Sequence, residues 1–215
     1  MSFVGGVGYS NIDLIYSGLD RLPDKGEEIF ARGFSMQFGG GIPATMINLS
    51  RLGVESRIIT FAGHDLFSEF VKKTLNSYPV KTVNLYKGNK MPVVLSSTLL
   101  YCGDRSFISY TDGMDLNDAV MDEVYENLKG AYVVDMHVGF LDVYKRLKKD
   151  GCIQIFDTGW EDDLTLEKYK DYLEIADYYI PNQKEAMKIT GTSGVEEDAD
   201  ILSEFFSDVR IKMDK

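Results

Sequence analysis

Cysteine, proline and tryptophan are scarce in this chain, and positive charge falls well short of negative. The two cysteines, Cys102 and Cys152, share no C-x-x-C spacing. That argues against a disulfide framework or a zinc site, and for a reducing cytoplasm. Lys and Arg number 23 against 34 Asp and Glu, a formal charge of −11. With no basic cluster to offset it, nucleic acid and anionic membranes are poor partners. A protein of this charge that handles phosphate must concentrate positive potential locally, from helix ends, a metal or a few basic side chains. No apolar run approaches the roughly 18 residues of a membrane span. Residues 1–6 have neither the basic nor the apolar region of a signal peptide. The expected setting is therefore cytoplasmic and membrane-free.

Enough apolar residue is present to build a core. At 215 residues, 44% hydrophobic and 27% charged, the chain has the make-up of one large globular domain or two small ones. Residues 3–8 read as a short buried strand, and 11–16 as an extended piece with Asp13 among apolar neighbours. Loose alternation over 27–38 predicts strand, and Ser56–Phe61 is β-branched. Asp65 is a plausible N-cap for a helix carrying Phe67, Phe70, Val71, Thr74 and Leu75 at helical spacing. Two β-rich runs, 93–101 and 105–110, flank a hairpin signal at Cys102-Gly103-Asp104. From Ala119 onward helices and strands alternate: helices at 119–128, 140–149, 166–176, 183–189 and around 198–206, strands at 131–135, 152–156, 178–180 and 209–212. Such alternation implies an α/β fold, a doubly wound parallel sheet with helices on both faces. The β-rich pieces at 11–17, 27–38 and 93–110 lack intervening helices and are expected to form a small antiparallel sheet. No low-complexity linker or internal repeat interrupts the chain.

The densest local signal is Phe38-Gly39-Gly40-Gly41-Ile42-Pro43. Three glycines free the backbone to lie against a ligand, and Pro43 suits a helix's first turn. A glycine loop entering a helix N-terminus presents N–H groups to a ligand oxygen or an anion; a plain flexible connection is the alternative.

Three stretches together resemble the ribokinase-like, or PfkB-type, carbohydrate kinases. The first is Gly6-Val7-Gly8-Tyr9-Ser10-Asn11-Ile12-Asp13-Leu14, similar to that family's opening strand and Asn-x-Asp. The second is Phe38-Gly39-Gly40-Gly41 leading to Gly53, with Phe61-Ala62-Gly63-His64-Asp65 after it. The third is Ile180-Pro181-Asn182-Gln183-Lys184-Glu185-Ala186, close to P-N-x-x-E-A; Leu22-Pro23-Asp24-Lys25-Gly26-Glu27 also resembles the family's L-P-x-x-G-E. The resemblance implies one ribokinase-like α/β domain over 1–215, incomplete at its C-terminal side, with a β-sheet lid. It implies transfer of the ATP γ-phosphoryl to a hydroxymethyl group of a sugar or nucleoside, with ATP and Mg2+ as cofactors. It places Asn11, Asp13, Gly39, Gly40 and Gly41 on the sugar, with Asp13 accepting from two hydroxyls. Asn182 and Glu185 lie near phosphate and magnesium, Glu185 acting through water; a first-turn carboxylate favoured by the helix dipole is the plainer reading of Glu185. His137 follows a strand end where such sheets bind ligands, as a sugar contact or a structural histidine. Asp157 resembles the family's strand-end Asp, with Trp160 in place of a polar tail; His64 has no assigned role. A homodimer through the lid sheet is also implied.

Two departures matter. The signature's sugar-binding asparagine is replaced by Ala44, or by Thr45 after a one-residue shift. The family's G-A-G-D, with its catalytic Asp and anion-hole helix, occurs nowhere in the 215 residues, so the chain reads as the N-terminal part of such a kinase, inactive alone. A non-catalytic carbohydrate- or nucleoside-binding module is the alternative. A dinucleotide-binding oxidoreductase is a third, weaker reading, because Gly6-Val7-Gly8 continues to Asn11 where the fingerprint requires glycine, and into a strand.

Overall fold

The computed structural model describes residues 2–206 and 208–213. In chain order its strands are β1 (Phe3–Val7), β2 (Asn11–Leu19), β3 (Gly33–Gly39), β4 (Ser56–Thr60), β5 (Lys81–Asn84), β6 (Val94–Tyr101), β7 (Asp104–Tyr110), β8 (Ala131–Met136), β9 (Ile153–Phe156) and β10 (Tyr178–Tyr179). The helices are α1 (Gly41–Arg51), α2 (Leu66–Leu75), α3 (Asp118–Leu128), α4 (Leu141–Lys149), α5 (Leu166–Ile175), α6 (Gln183–Thr190) and α7 (Val195–Leu202). Contacts divide the chain into two compact units: Met1–Val7, Val54–Arg57 and Leu116–Lys215 form the first, Gly8–Gly53 and Ile58–Asp115 the second.

Six strands form one sheet in the order β10-β9-β8-β1-β4-β5, with β1/β8, β8/β9 and β9/β10 pairing parallel. The order runs one way from β1 to β4 and the other way from β8 to β10. The switch between β1 and β8 is where open α/β sheets bind ligands, at the carboxyl ends of the strands. In the first unit, α3 buries Val124 and Leu128, α4 buries Val143 and Leu147, and α5 buries Tyr169 and Leu173. Each pair is four apart and so shares one helix face. A Cβ on Gly5 would fall 2.6 Å from Leu128 Cδ2, so the glycine lets α3 approach β1 closely. Phe156 centres an aromatic cluster, stacked on Tyr172 at 5.2 Å and on Tyr179 at 5.7 Å.

The second unit contains a four-stranded sheet in the order β3-β2-β6-β7. It is mixed. The outer pairs β2/β3 and β6/β7 are antiparallel, as expected, but the central pair β2/β6 is parallel. The reason is connectivity: β3, α1, β4, α2 and β5 intervene between β2 and β6, so no hairpin joins them. The β6–β7 hairpin falls where the sequence places it; Cys102 (φ 50°) and Gly103 (φ 79°) both occupy positive φ, as a tight two-residue turn requires. Register puts Leu14, Tyr16, Phe34, Met36, Ile108 and Tyr110 on one face of this sheet, and Asn11, Asp13, Gln37 and Ser96 on the other. Asp65 caps α2, accepting from the N–H groups of Phe67 and Ser68 at 3.0 Å each.

Three expected elements are corrected. Glu27–Arg32 is not strand: the Asp24–Glu27 turn, closed by Glu27 N–H to Asp24 O at 3.0 Å, precedes it, and Phe30 is 84% exposed, so β3 starts only at Gly33. The last helix starts at Val195 and ends at Leu202, because Gly194 and not Asp198 precedes its first turn. Of the expected strand 209–212, only Lys212 pairs, in an isolated parallel bridge with Asn182. Among the described residues no helix is long and apolar enough to cross a membrane.

Candidate functional site

In the second unit, β2 and β3 set Asn11 opposite Gly39 and Asp13 opposite Gln37. Asn11 and Asp13 are two apart in a strand and so share a face. A Cβ at Gly39 would sit 2.7 Å from Asp13 Oδ2 and 3.6 Å from Asn11 Cβ. Any larger residue would displace the carboxylate from its present position. No hydrogen bond to the Asp13 side chain occurs among the described residues, and partial burial alone holds its carboxyl above the usual range. Gly40 takes φ 104° as the residue before α1, and a Cβ there would meet the Tyr9 carbonyl at 2.9 Å. The start of α1 has no side-chain cap and no acidic residue. Its first N–H groups therefore remain donors for a ligand. Thr45 donates its hydroxyl to Gly41 O at 3.1 Å and Ala44 is exposed, so neither substitutes for an amide in the loop. The sequence thus brings Asn11, Asp13, Gly39, Gly40 and Gly41 into one cluster.

His137 belongs to the first unit, directly after β8. Its N–H donates to the buried Tyr144 hydroxyl at 2.8 Å, and Gly139 N–H donates to the Tyr172 hydroxyl at 2.8 Å. Nδ1 lies 2.8 Å from the Val138 carbonyl. A carbonyl only accepts, so Nδ1 carries the proton and Nε2 is the ring's acceptor. Burial lowers the imidazole's proton affinity, which keeps the ring neutral near pH 7.

A second cluster in the same unit gathers at the carboxyl ends of β9 and β10. Asn182 Oδ1 accepts from Glu185 N–H at 2.9 Å, and Glu185 Oε2 accepts from Asn182 N–H at 2.8 Å. This is a capping box, which explains the spacing of the P-N-x-x-E motif on structural grounds. Glu185 is 7% exposed; burial first, then the charge of Asp157, raise its carboxyl. Lys212 is what sequence reading missed. Its N–H donates to Pro181 O at 2.8 Å and its carbonyl accepts from Gln183 N–H at 2.9 Å, while Nζ pairs with Asp157 Oδ2 at 2.8 Å. The requirement for a local cation is legible in the net charge, but no motif marks this lysine. Both partners are about half exposed, 50% and 45%, so the pair is worth under about 1 kcal/mol and opens easily. Among the described residues no group of three or more His, Cys, Asp or Glu is placed to cage a metal. If the cap is the main local role of Asn182, Asn182→Ala should lower stability by about 1 kcal/mol, measured by urea unfolding; an unchanged midpoint would show that the box contributes nothing.

The fold and these clusters define an α/β protein with strand-end polar sites, and comparison with known proteins gives its family. The pfkB family carbohydrate kinase model matches residues 1–208, and the chain belongs to that family. Over 92 residues it is 35% identical to a Pyrococcus horikoshii protein named as an inferred sugar kinase, a match covering 40% of this chain and 30% of that protein. Among solved structures, Arabidopsis thaliana ribokinase complexed with ribose and ATP aligns with a TM-score of 0.76 at 22% identity, covering 99% of this chain and 72% of that one. Giardia lamblia ribokinase aligns with a TM-score of 0.79 at 18% identity, covering 99% and 68%. The fold is ribokinase-like.

Proposed function

We propose that these 215 residues form the sugar-binding part of an ATP-dependent carbohydrate kinase that phosphorylates a hydroxymethyl group of a sugar or nucleoside. The observation that carries this is the Asp13 carboxylate, without a hydrogen-bond partner among the described residues and lodged against Gly39 beside an uncapped helix start. A carboxylate accepts from two adjacent hydroxyls, which fixes a sugar ring in orientation. The N–H groups at Gly40 and Gly41 suit further sugar oxygens, and Asn11 adds a side-chain amide.

Mg2+ keeps most of its waters and binds through one or two carboxylates plus substrate phosphate. Asp157 and Glu185 fit that mode, with Glu185 acting through water since one of its oxygens serves the capping box. Bound with ATP, the metal would supply charge neutralisation. Asn182 and Glu185 would order its water shell, and Lys212 would offer a point charge to phosphate once freed from Asp157. Phosphoryl transfer also needs a base and an anion hole. These belong to the G-A-G-D motif, which does not occur in the sequence; on this reading, residues outside these 215 supply them. The test is a phosphorylation assay of residues 1–215 with ATP across a sugar panel. The expected result is no turnover above background, and measurable turnover would sink this division of labour. A non-catalytic sugar-binding module is the second reading, favoured by the same missing motif; sugar binding with no ATP affinity in any longer form of the chain would select it.

Burial holds Asp13 above the ordinary carboxylate range, and this fixes the signs of two pH effects. The folded state binds this proton more tightly than the unfolded one, so the group's contribution to folding improves as pH falls through its folded value. Sugar binding needs the ionised form and falls in the same window, which begins above the usual carboxylate range. Calorimetric affinities measured from pH 7 downward should show the loss, and an Asp13→Asn variant should not.

The apolar face of the four-stranded sheet, with Phe34 62%, Ile108 70% and Tyr110 59% exposed, supports the homodimer expected through the lid. Sedimentation of the parent chain and of Ile108→Lys should give dimer and monomer respectively; two monomers would reject it.

A further inference from the structure

The face of the four-stranded sheet that carries Asp13 is polar from edge to edge at that level. Register sets Gln37 of β3 and Ser96 of β6 on either side of Asp13, and Ser109 of β7 beyond Ser96. Residues paired across strands share a face, so Gln37, Asp13, Ser96 and Ser109 form one transverse row. Neighbouring strands lie about 4.8 Å apart, a spacing that lets one ligand touch several of these side chains. All four residues, like the Gly39–Gly41 loop, belong to the second unit.

A plain solvated sheet face is the alternative, and burial argues against it. Ser96 is 5% exposed, and Thr98, two residues on and so on the same face, is 4% exposed. The Thr98 hydroxyl is shielded from water and has no hydrogen-bond partner among the described residues. Such a group costs free energy in the free protein, a cost that a face turned only to water need not carry. A χ1 turn exchanges this hydroxyl with the threonine methyl, which would present it to a ligand over the row. The Ser96 and Ser109 hydroxyls meet at 2.9 Å. One proton serves that contact, so the pair keeps a second O–H to donate and lone pairs to accept. Gln37, exposed at the end of the row, adds donors and an acceptor.

Charge narrows the ligand. The rows directly before and after this one, at Asn11–Gly39 and at Ile15–Thr98, add no Lys, Arg, Asp or Glu. Asp13 is the one charge there. A phosphate or carboxylate on the ligand would meet only that carboxylate, whereas neutral hydroxyls meet donors and acceptors across the row.

From this placement we propose that the Gln37–Asp13–Ser96–Ser109 row reads several hydroxyls of one ligand, and that the acceptor is a neutral, hydroxyl-rich sugar and not a nucleoside. The inference deepens the carbohydrate-kinase reading and rests on it. A nucleoside brings ring hydroxyls for Asp13 and then a flat base, which wants an apolar slot that a row of hydroxyls and an amide does not supply. Sugar hydroxyls donate and accept, as these side chains do.

Residues 1–215 are titrated by calorimetry, without ATP, against hexoses, disaccharides, hexose phosphates and nucleosides. The expected result is that at least one neutral sugar binds at least about tenfold tighter than any nucleoside or sugar phosphate. Gln37→Ala and Ser109→Ala, both at exposed positions, should each weaken that binding about two- to tenfold, the size of one neutral hydrogen bond. Their melting temperatures should not change. Ser96→Ala should weaken binding as much, and Asp13→Ala, expected to bind no sugar, is measured beside them. Full affinity in all three row variants, with binding lost in Asp13→Ala, would overturn the row and leave the kinase reading standing. A nucleoside or sugar phosphate held more tightly than every neutral sugar would overturn the ligand class. No heat with any ligand would overturn the kinase reading together with the row.

Discussion

Asp13→Ala should abolish nearly all sugar affinity while leaving the protein at least as stable as before. Two hydrogen bonds to a charged acceptor are lost, each worth about 1.5–3 kcal/mol, so the expected weakening is roughly 10²–10⁴-fold by calorimetry. Stability should move the other way. The carboxylate is partly buried with no hydrogen-bond partner among the described residues, and removing it relieves desolvation without breaking a bond. A structural aspartate would behave oppositely, with a lower melting temperature and unchanged binding. The combination of the two readouts therefore separates a ligand group from a scaffold group.

Gly40→Ala should damage both properties at once. The position combines φ 104° with a Cβ direction that ends 2.9 Å from the Tyr9 carbonyl, a backbone atom that cannot swing away. Holding alanine in such a conformation costs about 1–3 kcal/mol, and the clash adds to it, so a loss on the order of 3 kcal/mol is expected in urea unfolding. The start of α1 must also shift, which moves its free N–H groups and should weaken sugar binding by at least about tenfold. Gly41→Ala is the control: a Cβ there meets nothing within 4 Å and the residue is already helical. It should cost little in stability. Equal, small effects at 40 and 41 would mean that the loop's geometry is unimportant.

The helices and strands between residues 118 and 190 were legible because each helix buries one stripe and each strand is short and apolar, signals that are local in sequence. The mixed character of the lid sheet was not legible, since strand direction is set by which distant strand lands beside β2. Glu27–Arg32 misled for a related reason: alternation like that of a strand is worth nothing without a partner to pair with. The Asn11/Asp13/glycine stretch was visible as a motif, and the structure adds that a Cβ at Gly39 would crowd the Asp13 carboxylate. For Asn182 and Glu185 the motif pointed to chemistry, while the structure shows a helix cap. Lys212 carried no pattern, because its importance lies in a single bridge to Asn182 and a pairing with Asp157 across 55 residues.

The central claim is that residues 1–215 hold a sugar through Asp13 without needing nucleotide. Isothermal titration of the chain with a panel of neutral sugars, in the absence of ATP and Mg2+, tests it most directly. The account predicts saturable one-site binding of at least one sugar, lost in Asp13→Ala. Binding that appears in neither protein, or equally in both, would contradict it.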